Sequence, residues 1–359
     1  MTLPKEAEFT PAPFRTSLFQ ALLERRFSSG LSTHHERPAR PVVVSAPMAE
    51  MTDAAYRVLA FEQGADACWT EMVSAAGLVH DSPNTPPLLE TLPEEADKPV
   101  IVQLYGSNPL EMAEAVRRVS DLGRFSAIDI NAGCPAPKVV RCGGGSALLR
   151  DLPLYGRIIA AAVSATNLPV TVKTRIGLSP ESNCAAEIAK IAEDSGAALL
   201  TLHGRYASAF HSGPLDLHAL VAARHAVHIP VLVNGGINSP NAARQILRET
   251  DADGVMLARA AIGNPTLFRR TIAALENPGF VDTPPSPDLQ RSLFLHHLDV
   301  EGRLKSAQNQ PDPEHMALLA FRRFLFLYFR GLPGAAALRR RLNALESLDA
   351  VRQAVQALF

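Results

Sequence analysis

The chain has 359 residues, 47% of them apolar, with 35 Lys and Arg against 36 Asp and Glu and a net charge of -1. That length allows one domain of ~250 residues and a smaller one, and the even balance excludes a polybasic chain that grips nucleic acid along its whole surface. No apolar run nears the ~18 residues of a membrane span, and the four cysteines (Cys68, Cys134, Cys142, Cys184) form no C-x-x-C pair, which excludes a disulfide framework or zinc site and points to a reducing cytoplasm.

Residues 1–38 read as an extension with one short helix, SLFQALLERRF, and without the basic start and long apolar core of a targeting segment. From Pro41 onward, short Val/Ile/Leu-rich runs recur: PVVVSAPM, ADACWTEMV, PVIVQLYG, SAIDIN, PVTVKTRIG, ALLTLHGR, PVLVNGG and DGVMLAR. None alternates in polarity, as expected of strands buried on both faces. Helical spacing fills most of the gaps, as in EMAEAVRRVSDLG, YGRIIAAAVSA, AAEIAKIAEDSG and NAARQILRET. Eight strand-helix units predict an α/β fold, a (β/α)8 TIM barrel, over 39–280. An open doubly wound sheet would carry a phosphate-binding glycine loop after its first strand, where this chain has APMAEMTD.

Three prolines within VDTPPSPD (Pro284, Pro285, Pro287) make a stiff linker, and 288–359 is helix-patterned throughout, predicting an all-helical C-terminal domain. Within it, FRRFLFLYFRGLPGAAALRRRL holds Arg322, Arg323, Arg330, Arg339, Arg340 and Arg341 and no acidic residue. This is a local basic footprint that the overall charge conceals.

A barrel of this kind carries its chemistry on the loops after the C-terminal strand ends. Those ends hold Pro47 and Met48, Glu71, Gln103, Asn131 and Cys134, Lys173 and Arg175, His203 and Arg205, Asn234, and Arg259. Backbone N–H groups around Asn234, Gly235, Gly236, Ala258 and Arg259 are candidates to cradle a phosphate, unless the two glycines only turn the chain. Lys173 faces an anionic or carbonyl-rich ligand or else a surface carboxylate, and the amide of Gln103 suits the edge of a planar heterocycle. A planar, carbonyl-rich, phosphorylated cofactor fits these groups, and flavin mononucleotide (FMN) has all three properties. No metal is expected.

Cys134 lies between Gly133 and Pro135, so it sits on a turn just past a strand. Most free cysteines are small buried hydrophobes. On a loop at the active face, however, an ordinary thiol is mostly protonated at neutral pH and suits a general acid, with a glycine-rich stretch behind it able to move. Cys142 is read as structural or incidental, and Cys68 and Cys184 as packing residues.

These residues resemble the tRNA-dihydrouridine synthases over about residues 41–341. APMAEMTD with Arg57, TEM, QLYGSNP, DINAGCPAPKVV followed by GGGSALL, VKTRIG, LHGR, NGGI and GVMLARAAIGNP stand in the family's order. DINAGCP with its downstream lysine and glycines is the specific element, and YFRGLPGAAALRRRLN resembles the family's helical RNA-binding domain. The resemblance implies reduction of the C5–C6 double bond of uridine in tRNA, with NADPH or NADH supplying electrons to FMN and Cys134 protonating C5. It assigns FMN binding to Pro47, Met48, Gln103, Lys173, His203, Asn234, Gly235, Gly236, Ala258 and Arg259. Asn131, Lys138 and Arg205 would lie near the substrate, and Arg322, Arg323, Arg339 and Arg340 would grip tRNA phosphates. Two departures stand out: NGGI, where the family often has an acidic residue after the first glycine, and LAR, where Gly-Arg is usual. The competing expectation is an FMN barrel acting on a small molecule, as in dihydroorotate dehydrogenases, and the arginine-rich helices argue against it. A cytoplasmic monomer is expected.

Overall fold

The computed structural model describes residues 40–330 and 335–357, so the expected N-terminal helix lies outside the described residues. Eight parallel strands close into one barrel in chain order: β1 Val42–Ser45, β2 Cys68–Ser74, β3 Val100–Tyr105, β4 Ala127–Ala132, β5 Val170–Arg175, β6 Leu199–His203, β7 Val231–Asn234 and β8 Gly254–Leu257. Closure comes from β1 pairing β8, with Val43 opposite Val255.

The apolar runs of the sequence become strands packed on two sides. One buried cluster, with Val42, Val44, Trp69, Ile101, Leu199, Leu232 and Met256, fills the barrel. Its strand neighbours, such as Val43, Val102, Ile128, Val172 and Leu200, belong to the larger cluster shared with the helices. Successive strand residues point to opposite faces. The inward file therefore runs Ile101 then Gln103 on β3, Ala127 then Asp129 then Asn131 on β4, Thr171 then Lys173 then Arg175 on β5, and Leu199 then Thr201 then His203 on β6. Apolar side chains plug the lower barrel, and polar ones are delivered to its C-terminal mouth.

The helices needed here are α1 Ala54–Glu62, α2 Ala75–Val79, α3 Pro109–Ser120, α4 Pro137–Arg141, α5 Leu152–Ser164, α6 Ala185–Asp194, α7 Leu217–His225, α8 Pro240–Thr250 and α9 Leu267–Glu276, then the C-terminal set α10 Pro287–Ala307, α11 Pro313–Phe321, α12 Leu325–Tyr328, α13 Ala335–Asn343 and α14 Leu348–Gln356. Several start alike: Asn108, Ser239, Ser286 and Asp312 accept backbone N–H bonds through their side chains, and proline follows at the first helical position. A side-chain cap satisfies an otherwise orphaned N–H, and proline has none to satisfy.

The C-terminal helices join the cluster between the barrel strands and their surrounding helices. Phe294, Phe321, Tyr328 and Phe329 are buried in the same cluster as Ile128 and Leu200, with Phe294 edge-on to Phe321 at 5.1 Å and to Tyr328 at 5.5 Å. Each such ring contributes about 1.5–3 kcal/mol by burial.

Charged groups lock the seam. Asp53 caps α1 by accepting from the Tyr56 N–H at 3.0 Å, and its other oxygen accepts from Arg323 Nη2 at 2.7 Å. Polar atoms of Asp53, His297 and Glu301 lie within 4.8 Å of one another. Lys305 stands 3.1 Å from Glu301, so the two carboxylates of this cluster each have a cation. At Gly263 (φ 72°) an added Cβ would lie 2.5 Å from the carbonyl carbon of Leu327, so the loop after β8 rests directly on the chain leading to Arg330.

Candidate functional site

The C-terminal strand ends surround a cavity of about 750 Å³, within the range of small-molecule sites. Pro47, Met48, Gln103, Asn131, Cys134, Lys173, His203, Arg205, Asn234, Gly235, Gly236, Ala258 and Arg259 all line it. Lys138 is exposed on α4, and Arg322, Arg323, Arg339 and Arg340 also stand outside the lining. Arg323 is held at the seam by Asp53. Arg339 and Arg340 are exposed on α13.

Sequence reasoning gave no place in the mouth to several lining residues, among them Met72, His211, Leu327 and Arg330, and left Arg175 without a role. Arg175 was visible as the next inward residue after Lys173. His211 lies within a loop, and Leu327 and Arg330 arrive only because the helices dock on the loop after β8. Glu71, expected at a strand end, lies in the middle of β2, outside the cavity lining, and accepts the backbone N–H of Glu50. Burial, with Asp53 nearby, raises its carboxyl to about 7.

Cys134 is fixed through its backbone. Oδ1 of Asn131 accepts from the N–H groups of Gly133 and Cys134 at 3.1 and 2.9 Å. On the other side the Ser146 N–H donates to the Cys134 carbonyl at 2.9 Å. Gly145 makes that approach possible: at φ 59°, a Cβ there would sit 2.5 Å from the same carbonyl oxygen. The glycine run thus packs beneath the thiol loop.

A polar chain beneath the mouth orients Asn131. Asp129 accepts from Thr171 Oγ1 at 2.6 Å and from Gln103 Nε2 at 2.7 Å, and Gln103 Oε1 accepts from Asn131 Nδ2 at 2.9 Å. The carboxylate, which only accepts, dictates which way the Gln103 amide faces, and through it the Asn131 amide. Burial nonetheless raises the Asp129 carboxyl to about 6, outweighing the bonds from Thr171 and Gln103.

Across the mouth, Lys173 Nζ donates to Asn234 Oδ1 at 3.2 Å, and Asn234 Nδ2 donates to the Met256 carbonyl at 2.8 Å. Gly235 (φ 110°) leaves room for the His203 ring, since a Cβ would fall 2.7 Å from its Cδ2. Burial, then Lys173 and Arg175, hold the His203 imidazole far below its usual range, so it is neutral. Its Nε2 accordingly faces Arg205 Nη1 at 3.4 Å, and its ring stacks on His211 at 5.9 Å. Burial lowers Lys173 to about 8 and Arg175 to about 10.

Lys173, Arg175, Arg205, Arg259 and Arg330 line the cavity, and among the described residues no carboxylate does. Burial, then neighbouring cations, hold Lys173, Arg175 and Arg205 below their usual pKa values, and cations gathered in this way mark a site for an anion. Amide edges from Gln103 and Asn131 add paired donors and acceptors, and Met48, Met72, Met256 and Ile262 add apolar surface. This donor set fits a planar polar ring carrying a phosphate.

The profile of the family "Dihydrouridine synthase (Dus)" matches residues 44–359. The chain is 35% identical over 317 residues to tRNA-dihydrouridine synthase B of Pseudomonas aeruginosa, covering 88% of this chain and 92% of that protein. It is 37% identical over 310 residues to the protein of that name from Xanthomonas axonopodis pv. citri, covering 86% and 90%. To the Escherichia coli K12 protein of that name it is 34% identical over 317 residues, covering 88% and 95%.

Proposed function

Because this chain belongs to the dihydrouridine synthase family and makes dihydrouridine in tRNA, we propose that its barrel mouth does so with FMN, and that Cys134 is the proton donor. The rival expectation of a small-molecule flavin oxidoreductase gives way to that membership. The observation that carries the reading is Cys134 on the wall of a cavity lined by Lys173, Arg175, Arg205, Arg259 and Arg330.

The chemistry a bound FMN would supply, once reduced by NADPH or NADH, is hydride donation to C6 of the uracil. The phosphate of FMN is matched by the backbone of Gly235, Gly236, Ala258 and Arg259, and its ring by Pro47, Met48, Gln103, Lys173, His203 and Asn234. Lys173 is held partly neutral by burial and gains full charge beside an anionic ligand. Cys134 Sγ delivers a proton to C5, completing addition of two hydrogens across C5=C6. Asn131 sets the position of that thiol through the Cys134 N–H, and Arg205 and Lys138 serve the substrate or its phosphates. Neutral His203 serves as a hydrogen-bonding ring rather than as an acid.

A uridine within folded tRNA reaches the mouth only when splayed from its stack. Arg322, Arg339 and Arg340 grip the surrounding phosphates, with Arg323 acting through the seam. No helix among the described residues is long and apolar enough to cross a membrane, and we place the enzyme in the cytoplasm as a monomer. Cys134→Ala tests the reading: the variant purifies yellow with bound flavin and fails to reduce tRNA. Wild-type rates in it would remove Cys134 as the donor.

A further inference from the structure

We propose that Phe210 is a stacking platform for a tRNA base next to the uridine drawn into the mouth; the proposal rests on tRNA being the substrate. The segment after β6 forms part of the cavity rim and is pinned at several points. Arg175 Nη1 donates to the Tyr206 carbonyl at 3.0 Å, Arg205 Nε to the Gly213 carbonyl at 2.8 Å, and Arg259 Nη2 to the His211 carbonyl at 3.4 Å. The cations of the mouth themselves therefore hold this loop.

Phe210 stands between those anchors. It is 51% exposed, and it is the one aromatic among the exposed large hydrophobic side chains of the described residues. Its backbone is at φ 50°, ψ -99°, a combination that a residue with a Cβ adopts only at a cost. The next residue, His211, lines the cavity. An apolar ring is thus kept in water, on a strained backbone, beside the entrance to a site. Each carries a cost, since hydration of an apolar ring is unfavourable and a left-handed backbone strains a residue with a Cβ.

A base supplies what is missing. Drawing a uridine out of its stack leaves its neighbour with an open face, and unstacked bases in RNA are received on aromatic side chains. Each base carries a phosphate, and Arg205 and Arg259 are close along the rim to take it. That charge disfavours an apolar protein segment or a lipid surface as the partner.

The chain has a single tryptophan, Trp69, which is fully buried, so Phe210→Trp adds a reporter against a fixed background. Titration with tRNA is expected to quench the added indole. Phe210→Ala raises KM for tRNA about 5- to 150-fold, the worth of one base–aromatic stack, with kcat and tRNA-independent NADPH oxidation unchanged. Phe210→Gly relaxes the positive φ, so it unfolds no earlier than wild type yet shows the same rise in KM. The proposal is overturned if filter retention shows tRNA bound to Phe210→Trp with no quenching, or if Phe210→Ala keeps the wild-type KM. Both results would leave the dihydrouridine synthase reading intact, which fails instead if the wild-type protein with NADPH forms no dihydrouridine in tRNA.

Discussion

Asp129→Asn should stabilise this protein at pH 8 and do nothing at pH 4, although Asp129 holds two short hydrogen bonds. The carboxyl is completely buried and raised from 3.8 to about 6. Ionising it therefore costs more in the folded chain than in the unfolded one. A shift of about two units corresponds to about 3 kcal/mol of lost stability, complete above pH 6 and fading as pH falls through 6 toward 4. The bonds from Thr171 and Gln103 are already contained in that balance. Asparagine keeps an oxygen for Gln103 Nε2, and the Thr171 hydroxyl turns to accept from the new amide. The assay is urea unfolding of both proteins at pH 4 and pH 8. The expected result is a variant ahead by about 2–3 kcal/mol at pH 8 and level at pH 4. Activity should move the other way, because a neutral bond orients Gln103, and through it Asn131 and the Cys134 loop, less firmly than a charged one. A variant weaker at both pH values, or a difference independent of pH, would refute the reasoning.

Arg323→Ala leaves the buried carboxylate of Asp53 unpaired and should cost about 2–3 kcal/mol in chemical denaturation, below the usual value for a buried pair because 27% of the Arg323 side chain meets solvent. Arg323→Ala with Asp53→Asn should recover part of the loss. Gly145→Ala puts a Cβ against the Cys134 carbonyl on a left-handed residue; circular dichroism should show a folded protein, and tRNA assays a loss of dihydrouridine formation. His297 is buried and lowered to about 4, so it contributes stability above about pH 6.5 that is lost as pH falls through 6.5 to 4. Urea midpoints of His297→Gln should gain on wild type by about 3 kcal/mol between pH 7 and pH 4.

The sequence by itself determined the barrel and most of its mouth. Eight apolar runs can be buried on both faces only in a parallel sheet wrapped by helices, and a two-residue alternation then decides that Gln103, Asn131, Lys173 and His203 point inward near the strand ends. Those are local regularities, read over four to seven residues. The tertiary structure decided what local pattern cannot carry. Arg323 reads as one more phosphate-binding arginine until folding sets it against Asp53, 270 positions away. Leu327 and Arg330 join the cavity only because Gly263 lets two backbones touch. The run of glycines reads as a mobile loop until Gly145 is seen pressed on the Cys134 carbonyl. Glu71 reads from sequence as a strand-tip residue, yet it lies within β2, where an irregularity between Trp69 and Met72 accompanies its turn toward the first loop. In each case the partner lies far along the chain, and a side chain's role follows from what it is packed against.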